Sequence, residues 1–457
     1  MTIQRTTPGE CDWRLSAYRN GERLQTEGGE FNLLQFCQGW SVTEDISLAT
    51  MEAEFIFQDA IGIQSIFTGS ETLKLEVFTS LVDRVYHFRC TGVFNRIRDK
   101  NNSEMFSISA VSEEFIKNEG VNVFGSSETV FKNNTETENI VHSLLKHDKF
   151  LGTKKNVFVE DTVSRHNFII PNWRPLDVVY WLTNRSVRKS STGNNLQNGF
   201  LFYENSLGYN FKSIDKIIED VNTMGDNINT DIIRDKKRLY RYTYAPKNLN
   251  EELDNYTINA ISFPEEHKNL IAQRHGTIAG YSVGFDPVNI TASKMGLSSD
   301  ISDMAYEYNI RDVWSKMSHL DPSKTTNPLQ QMDVDIQNIL YKPKRVRYTM
   351  LPNQIFDQKY RNNPQKNYKE LVQLQAYQYM RVETLKNLKA LVRIPGNIDL
   401  YAGSGIDISL PAVYKSGTNI ETDRRYSGKY VIVRLTHTAT TGKIQTELEL
   451  MKDSILK

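Results

Sequence analysis

Residues 169–214 decide the reading of this chain. They begin Ile169-Ile170-Pro171-Asn172-Trp173-Arg174-Pro175-Leu176-Asp177-Val178-Val179-Tyr180-Trp181-Leu182. After a polar run they resume Gly199-Phe200-Leu201-Phe202-Tyr203-Glu204-Asn205-Ser206-Leu207-Gly208-Tyr209-Asn210-Phe211-Lys212-Ser213-Ile214. Pro175 suits a first helical turn, where its missing N–H would find no partner anyway. Behind it, Leu176, Val179 and Tyr180 recur at three and four residues, as do Val178, Trp181 and Leu182, which predicts a short, heavily buried helix. The loop over 188–198 is polar, and the aromatic runs 200–203 and 209–214 then predict a hairpin turning at 204–208. The unit shows no catalytic constellation and reads as architecture.

Upstream, the pattern from 36 to 111 is one of strands. Met51, Ala53, Phe55 and Phe57 alternate with Glu52 and Glu54; Leu73, Leu75 and Val77 alternate with Lys74 and Glu76. Tyr86, Phe88 and Cys90, then Phe106, Ile108 and Ala110, repeat that period of two. Such spacing predicts a small antiparallel barrel or sandwich. Helices are expected over 136–147 and 214–224, making 119–235 an α+β domain. Tyr240, Tyr242 and Tyr244 alternate as a strand would, whereas 286–354 is polar and punctuated by Pro, Ser and Asn, so loops and small strands are expected there. Towards the end, a helix over 368–388 precedes strands at 391–394 and 406–411, a polar loop over 414–425, and strands at 428–437 and 443–450 joined by Thr440-Thr441-Gly442. That predicts a helix packed on a second small barrel. The fold class expected is therefore α+β and β-rich, with two small antiparallel β-barrel domains flanking an α+β domain and an irregular insertion.

At 457 residues the chain exceeds one core and suggests three or four domains. With 55 basic and 55 acidic residues its net charge is zero, which argues against a main task of holding nucleic acid or an anionic membrane. The 22 Tyr and 21 Phe suit β-rich packing and large interfaces. Apolar runs such as 178–182 fall far short of the roughly 20 residues that span a bilayer, and the N-terminus does not read as a signal peptide. Cys11, Cys37 and Cys90 are widely spaced and odd in number, indicating neither a disulfide framework nor a zinc site, and a reducing cytoplasm is the expected place of assembly.

Candidate chemistry is sparse. Gly280-Tyr281-Ser282-Val283-Gly284 matches Gly-x-Ser-x-Gly, but a nucleophile elbow needs a strand before and a helix after, and Phe285-Asp286-Pro287 is turn chemistry. His437 shares a face with Val431, Val433 and Leu435 and reads as a satisfied core histidine. The carboxylate pairs Glu113/Glu114, Glu265/Glu266, Asp300/Asp303 and Asp333/Asp335 read as solvated loop charge rather than a glycosidase acid and nucleophile. The runs 235–242 and 341–348 mix Lys and Arg with Tyr, as single-strand binders do, but with zero net charge an exposed strand face making partner contacts, or an edge blunted by charge, explains them better. No phosphate loop, dinucleotide fingerprint or metal cluster is present in the sequence, so no catalytic, cofactor or metal residues are assigned.

Three segments carry a resemblance to a known family. The 169–214 unit is one. The second is the run Asp45-Ile46-Ser47, Phe55-Ile56-Phe57-Gln58-Asp59 and Phe67-Thr68-Gly69-Ser70-Glu71-Thr72-Leu73. The third is the ordered series Pro395-Gly396-Asn397, Gly403 to Gly405, Pro411, Ser427-Gly428-Lys429-Tyr430-Val431, Thr436-His437 and Leu448-Glu449-Leu450-Met451-Lys452-Asp453-Ser454. Together they resemble the central hub protein of the baseplate of contractile-tailed bacteriophages. The resemblance is thinnest over 286–365. It implies a non-enzymatic virion protein on the tail axis, assembled in the host cytoplasm. It further implies a homotrimer whose six barrels form a pseudo-sixfold ring between the hexameric tail tube protein and the trimeric spike protein. Baseplate wedge proteins and the tape-measure protein are the other implied partners; DNA passes only transiently, through a lumen not strongly basic, and no stable membrane association is expected. By that analogy, 1–118 is the first barrel, 119–235 the α+β domain, 236–262 with 366–457 the second barrel, and 263–365 a loop-rich peripheral insertion. The alternatives are a peripheral receptor-binding or adhesion tail protein using 286–365, and a tail-associated cell-wall hydrolase.

Overall fold

The computed structural model describes residues 8–26, 29–30, 33–60, 62–79, 82–98, 103–124, 130–189, 197–226, 238–244, 255–264, 269–285, 305–350, 364–416, 419–440 and 442–457. The first half of the sheet is built from β1 (Asp12–Arg19), β2 (Cys37–Asp45), β3 (Glu52–Asp59), β4 (Thr72–Phe78), β5 (Asp83–Arg98) and β6 (Glu104–Ser112). Side by side they run β2-β3-β6-β5-β4-β1, every neighbour antiparallel. The alternation seen in the sequence places Phe55, Phe57, Leu73, Leu75, Phe88 and Phe106 on one buried face, the arrangement a period of two dictates when only one sheet face is covered.

Next comes the α+β segment. It contains α1 (Glu113–Gly120), α2 (Thr137–Lys146), β7 (Asn156–Val159), α3 (Pro175–Thr183), β8 (Phe200–Asn205), β9 (Gly208–Ser213) and α4 (Ile214–Asn222). Pro175 opens α3 as expected, and the Ser213 hydroxyl caps α4 by accepting from Lys216 N at 3.0 Å. The hairpin β8–β9 packs its rings with α2 and α3 into a core containing Ile140, Leu144, Leu176, Val179, Phe202 and Phe211.

The second half of the sheet takes β10 (Arg238–Thr243), β11 (Ala260–Ser262), β15 (Leu388–Pro395), β16 (Gly405–Ser409), β17 (Gly428–Thr440) and β18 (Lys443–Lys452). Side by side these run β11-β15-β18-β17-β16-β10. Numbered by their order along the chain within each half, the strands lie 2-3-6-5-4-1 in both. The fold thus repeats one six-stranded module. Only the 1–4 pairing differs, antiparallel for β1 with β4 and parallel for β10 with β16.

The modules are fused, where the sequence suggested two separate barrels. From Arg434 to Thr440, β17 keeps β18 on one edge and on the other pairs antiparallel with β2 of the first module, Arg434 opposite Asp45 and Thr440 opposite Gly39. One 14-stranded sheet results, with two short strands at its ends. Among the described residues no strand pair closes either module into a barrel; a single-residue bridge between Thr243 and Thr257 is the nearest approach. At the tip of the β17–β18 hairpin, Ala439 and Ile444 sit in the core of the first module. Gly39 makes room for it: a Cβ there would meet the Ala439 carbonyl oxygen at 2.6 Å.

The insertion is more ordered than its polar sequence suggests. Its described part holds α5 (Asn269–His275), β12 (Ala279–Phe285), β13 (Tyr306–Asn309), α6 (Ile310–Trp314), α7 (Val334–Leu340) and β14 (Arg345–Met350). The three strands form a mixed sheet in the order β13-β12-β14. Tyr308, Met317 and Leu340 make a core completed by Ala376, Tyr377 and Met380 of the long helix α8 (Pro364–Leu385). Each short element contributes only one or two side chains to a core finished from elsewhere, so no periodicity marks it. Residues 286–304 and 351–363 lie outside the described residues. The expected loop over 414–425 is in part another hairpin, Pro411–Ser416 with Asn419–Thr422.

Because Ile444 is 3 % exposed within the neighbouring module's core, Ile444→Ala removes contacts from both modules at once. Denaturant unfolding is expected to show a loss of about 2–5 kcal/mol, in one cooperative transition for the two modules. A loss below about 1 kcal/mol, within the range of surface changes, would contradict the fused core.

Candidate functional site

The residues singled out in the sequence are held in structural roles. Ser282 lies mid-strand in β12, 2 % exposed, opposite Tyr306 and Arg347, and the strand runs on to Phe285. It is at no strand-to-helix turn, so the elbow geometry fails. His437 is fully buried, with Nδ1 2.9 Å from the Thr446 hydroxyl, and burial pushes its pKa down to about 4, keeping the ring neutral. In the basic-aromatic run, Tyr240 and Tyr242 point into the second module's core, and Arg241 pairs with Asp407 at 2.6 Å. Asp235, Lys236 and Lys237 lie outside the described residues. In the other run, Arg347 stacks over the Tyr379 ring at 3.1 Å and Tyr341 is covered by Arg311 at 4.3 Å. Tyr348 remains open to solvent. Asp333 caps α7, its carboxylate accepting from Asp335 N at 2.9 Å. Glu265, Glu266, Asp300 and Asp303 fall outside the described residues. Cys11, Cys37 and Cys90 are buried free thiols; burial pushes Cys37 and Cys90 up to about 12. Among the described residues no three His, Cys, Asp or Glu side chains converge as a metal site would require.

One expectation needs correcting. Glu114 is no solvated charge: it is buried, accepting from Thr153 Oγ1 at 2.5 Å and from Lys155 Nζ at 2.6 Å. Lys155 Nζ also donates to Glu204 Oε1 at 2.6 Å. Glu204 is the penultimate residue of β8, in the hairpin that reads as mere architecture in the sequence. Its other oxygen accepts from Met51 N at 3.1 Å, at the entrance to β3. In the turn itself, Ser206 N donates to Glu44 Oε1 at 3.0 Å, and Glu44 Oε2 accepts from Ala402 N at 2.9 Å. Asn205 Nδ2 donates to the Ala402 carbonyl at 2.9 Å, and Gly403, with φ +83°, lies so close to the Tyr203 ring that no Cβ fits. The β8–β9 turn therefore bolts the first module (Glu44, Met51), the α+β segment (Glu114, Lys155) and the second module (Ala402) together. Burial raises the Glu44 carboxyl to about 7 against the hydrogen bonds from Ala402 and Ser206.

A second bolt is ionic. Arg381 of α8 is fully buried between Asp215 of α4 (Nε–Oδ1 3.3 Å) and Asp453 after β18 (Nη1–Oδ2 3.4 Å). Tyr377 donates to Asp215 at 2.7 Å, as does Ser318 N at 2.8 Å, and His319 Nδ1 lies 2.8 Å from Asp453. Burial alone would raise Asp453; the His319 hydrogen bond and the Arg381 charge outweigh it and hold the group below its usual range. Four distant segments meet on two carboxylates and one guanidinium. Such an arrangement fixes geometry more than it adds stability. The chemistry it supports is positional: it holds four bodies at set angles.

No family model matches the sequence, and no curated protein sequence matches it. Solved structures match in fold. A tail protein from Neisseria meningitidis MC58 superposes with TM-score 0.51 at 8 % identity, over 96 % of this chain and 97 % of its own. The 43 kDa tail protein of prophage MuSo2 from Shewanella oneidensis does so with TM-score 0.51 at 7 % identity, over 97 % of this chain and 99 % of that one. At such identities the likeness is one of fold, and it spans nearly the whole chain. The resemblance read from the sequence is matched at that level.

Two outcomes are expected of the bolts. Between pH 4.5 and about 7 folded Glu44 keeps a proton that the unfolded chain releases, so its contribution falls as pH rises through that window. The fall amounts to about 3 kcal/mol, at 1.36 kcal/mol per pKa unit. Denaturant unfolding of wild type and Glu44→Gln at pH 5 and pH 7.5 measures it, and equal slopes in the two proteins would contradict it. Arg381→Met leaves the buried carboxylates of Asp215 and Asp453 without their shared cation, an expected loss of about 3–5 kcal/mol near neutral pH that shrinks as the pH falls and Asp453 takes up a proton. A loss independent of pH would point to packing alone.

Proposed function

We propose that this chain is a structural component of a phage tail baseplate, the central hub on the tail axis. The observation that carries the reading is the repeat of one six-stranded module, fused edge to edge within one chain. Two like modules per chain give a threefold assembly six like modules in a ring. A trimer then presents quasi-sixfold symmetry to a hexameric tail tube on one face and threefold symmetry to a trimeric spike on the other. Shared fold with tail proteins over nearly the whole chain supports that setting.

In the ring, the two tube-like modules span 1–118 and 236–262 with 366–457, each lending its strand-2 edge to the neighbouring module. The α+β domain over 119–235 and the insertion over 263–365 sit outside, where baseplate wedge proteins bind. The tape-measure protein meets the tube side, and the lumen passes DNA transiently. The protein works in the virion after assembly in the host cytoplasm, without stable membrane association. Matching of symmetries, rather than catalysis, is its task. The burial of Ser282, His437 and Glu114 in strand, core and ion pair supports a role without chemistry.

Light scattering of the purified chain, alone and with the trimeric spike protein of the same tail, tests the reading. The expected mass is three times 52.7 kDa, or three chains with three spike chains. A monodisperse monomer that ignores the spike would overturn it in favour of a peripheral, adhesive role.

A further inference from the structure

The second module shows what its long hairpin is for. Residues 428–431 of β17 pair with strand 4 of their own module, β16. A bulge follows at Ile432/Arg434, and beyond it the strand pairs with strand 2 of the other module, β2. Bulges of this kind re-aim a strand. One rung from the hairpin tip, Ala439 faces Ile444, and this apolar pair, 0 % and 3 % exposed, is buried in the other module's core.

The first module has the same device, and among the described residues no strand pairs with its outer edge. Residues 83–89 of β5 pair with its own strand 4, β4. Bulges follow at Cys90/Gly92 and Phe94/Ile97, and beyond them β5 pairs only with β6 among the described residues. One rung from this tip, Ile97 faces Met105, and the apolar pair is 66 % and 46 % exposed. Phe94 stands exposed beside it. Strand 2 of the second module, β11, pairs with β15 alone among the described strands. Beside it runs a groove lined by Ile261, Leu391, Arg393, Arg434, Glu447 and Glu449, in which Leu391 is 44 % exposed. An open strand edge and a solvent-facing apolar rung are liabilities in a lone chain.

We infer that the β5–β6 hairpin tip of one copy docks on the β11 edge and its flanking groove in a second copy of this chain, by strand addition. It repeats between chains the junction that β17 makes with β2 within one. The occupant is a second copy because the chain already contains the complementary pair of surfaces, one used internally and one unpaired among the described residues. Main-chain hydrogen bonds supply the attachment, and the Ile97/Met105 rung supplies the apolar anchor, as in strand-addition complexes generally. The inference rests on the ring reading above and adds to it which surfaces close the ring.

The test replaces Phe94 with benzoylphenylalanine in the full-length protein and mixes isotope-labelled with unlabelled chains before irradiation. Mass spectrometry is expected to find cross-links between chains, at peptides carrying 260–262 or 391–393. Cross-links within one chain, or to another face of the second copy, overturn the inference. In parallel, the double variant Ile97→Asp, Met105→Asp is expected to keep the wild-type unfolding midpoint, since both residues are exposed in the lone chain. It should raise the concentration at which copies associate by at least about 100-fold, tenfold for each 1.4 kcal/mol. A double variant that stays trimeric overturns this junction and leaves the ring standing; a wild-type chain that never self-associates, with or without the spike, overturns both.

Discussion

Everything in this molecule depends on seven residue pairs, those between Arg434–Thr440 of one module and Gly39–Asp45 of the other. Backbone pairing in an antiparallel ladder allows little freedom of angle or register, because a slip by one residue would turn every side chain to the wrong face. A slip here would also pull Ala439 out of the first module's core and break the match of Thr436 with Thr43, whose hydroxyls lie 3.0 Å apart. The two modules are therefore one rigid sheet rather than beads on a linker. A chain that must present two equivalent surfaces at a fixed angle needs such a joint.

The buried polar bolts serve the same end by another route. Apolar contacts between domains resist separation but tolerate sliding. Glu44, held by Ser206 N and Ala402 N, and Arg381, held between Asp215 and Asp453, do not. Directional bonds buried away from water are costly to leave unmade, so each accepts one arrangement of its segments. The cost is visible in the charge states: burial opposes ionisation at Glu44, and at Asp453 it is outweighed only by the hydrogen bond from His319 and the charge of Arg381. These clusters sit where the bodies meet, and in the proposed ring they would keep the angular error between junctions small.

Much of the local structure was legible in the sequence, and its physical reason is plain. Strands β3, β4 and β6 each bury one face, so Phe55, Leu75 and Ile108 fall at a period of two. Helix α3 declared itself through Pro175, and the β17–β18 hairpin through its long alternating arms. What the sequence could not disclose was anything settled by distant partners. Glu44 looks like any acidic residue until a backbone amide 358 positions away meets it. Glu114, adjacent to an exposed twin, is buried only because Lys155 and Thr153 arrive beside it. The insertion's elements hid because Tyr308, Met317 and Leu340 are completed by α8 rather than by their own periodicity. The shared strand order, 2-3-6-5-4-1, leaves no trace in composition at all, since it resides in which strands pair. Of the junctions that position the bodies, the sequence disclosed the hairpin carrying one of them but not the bonds that its turn makes.

A three-dimensional reconstruction of the assembled protein by electron cryomicroscopy tests the central claim most directly. The account predicts a ring with an open lumen in which six alike six-stranded modules sit at nearly equal angles about a threefold axis. Strands must cross every boundary, within chains and between them, in the same way. A threefold assembly in which the chains meet through the α+β segment or the insertion, with no strand crossing from one chain to the next, would contradict it.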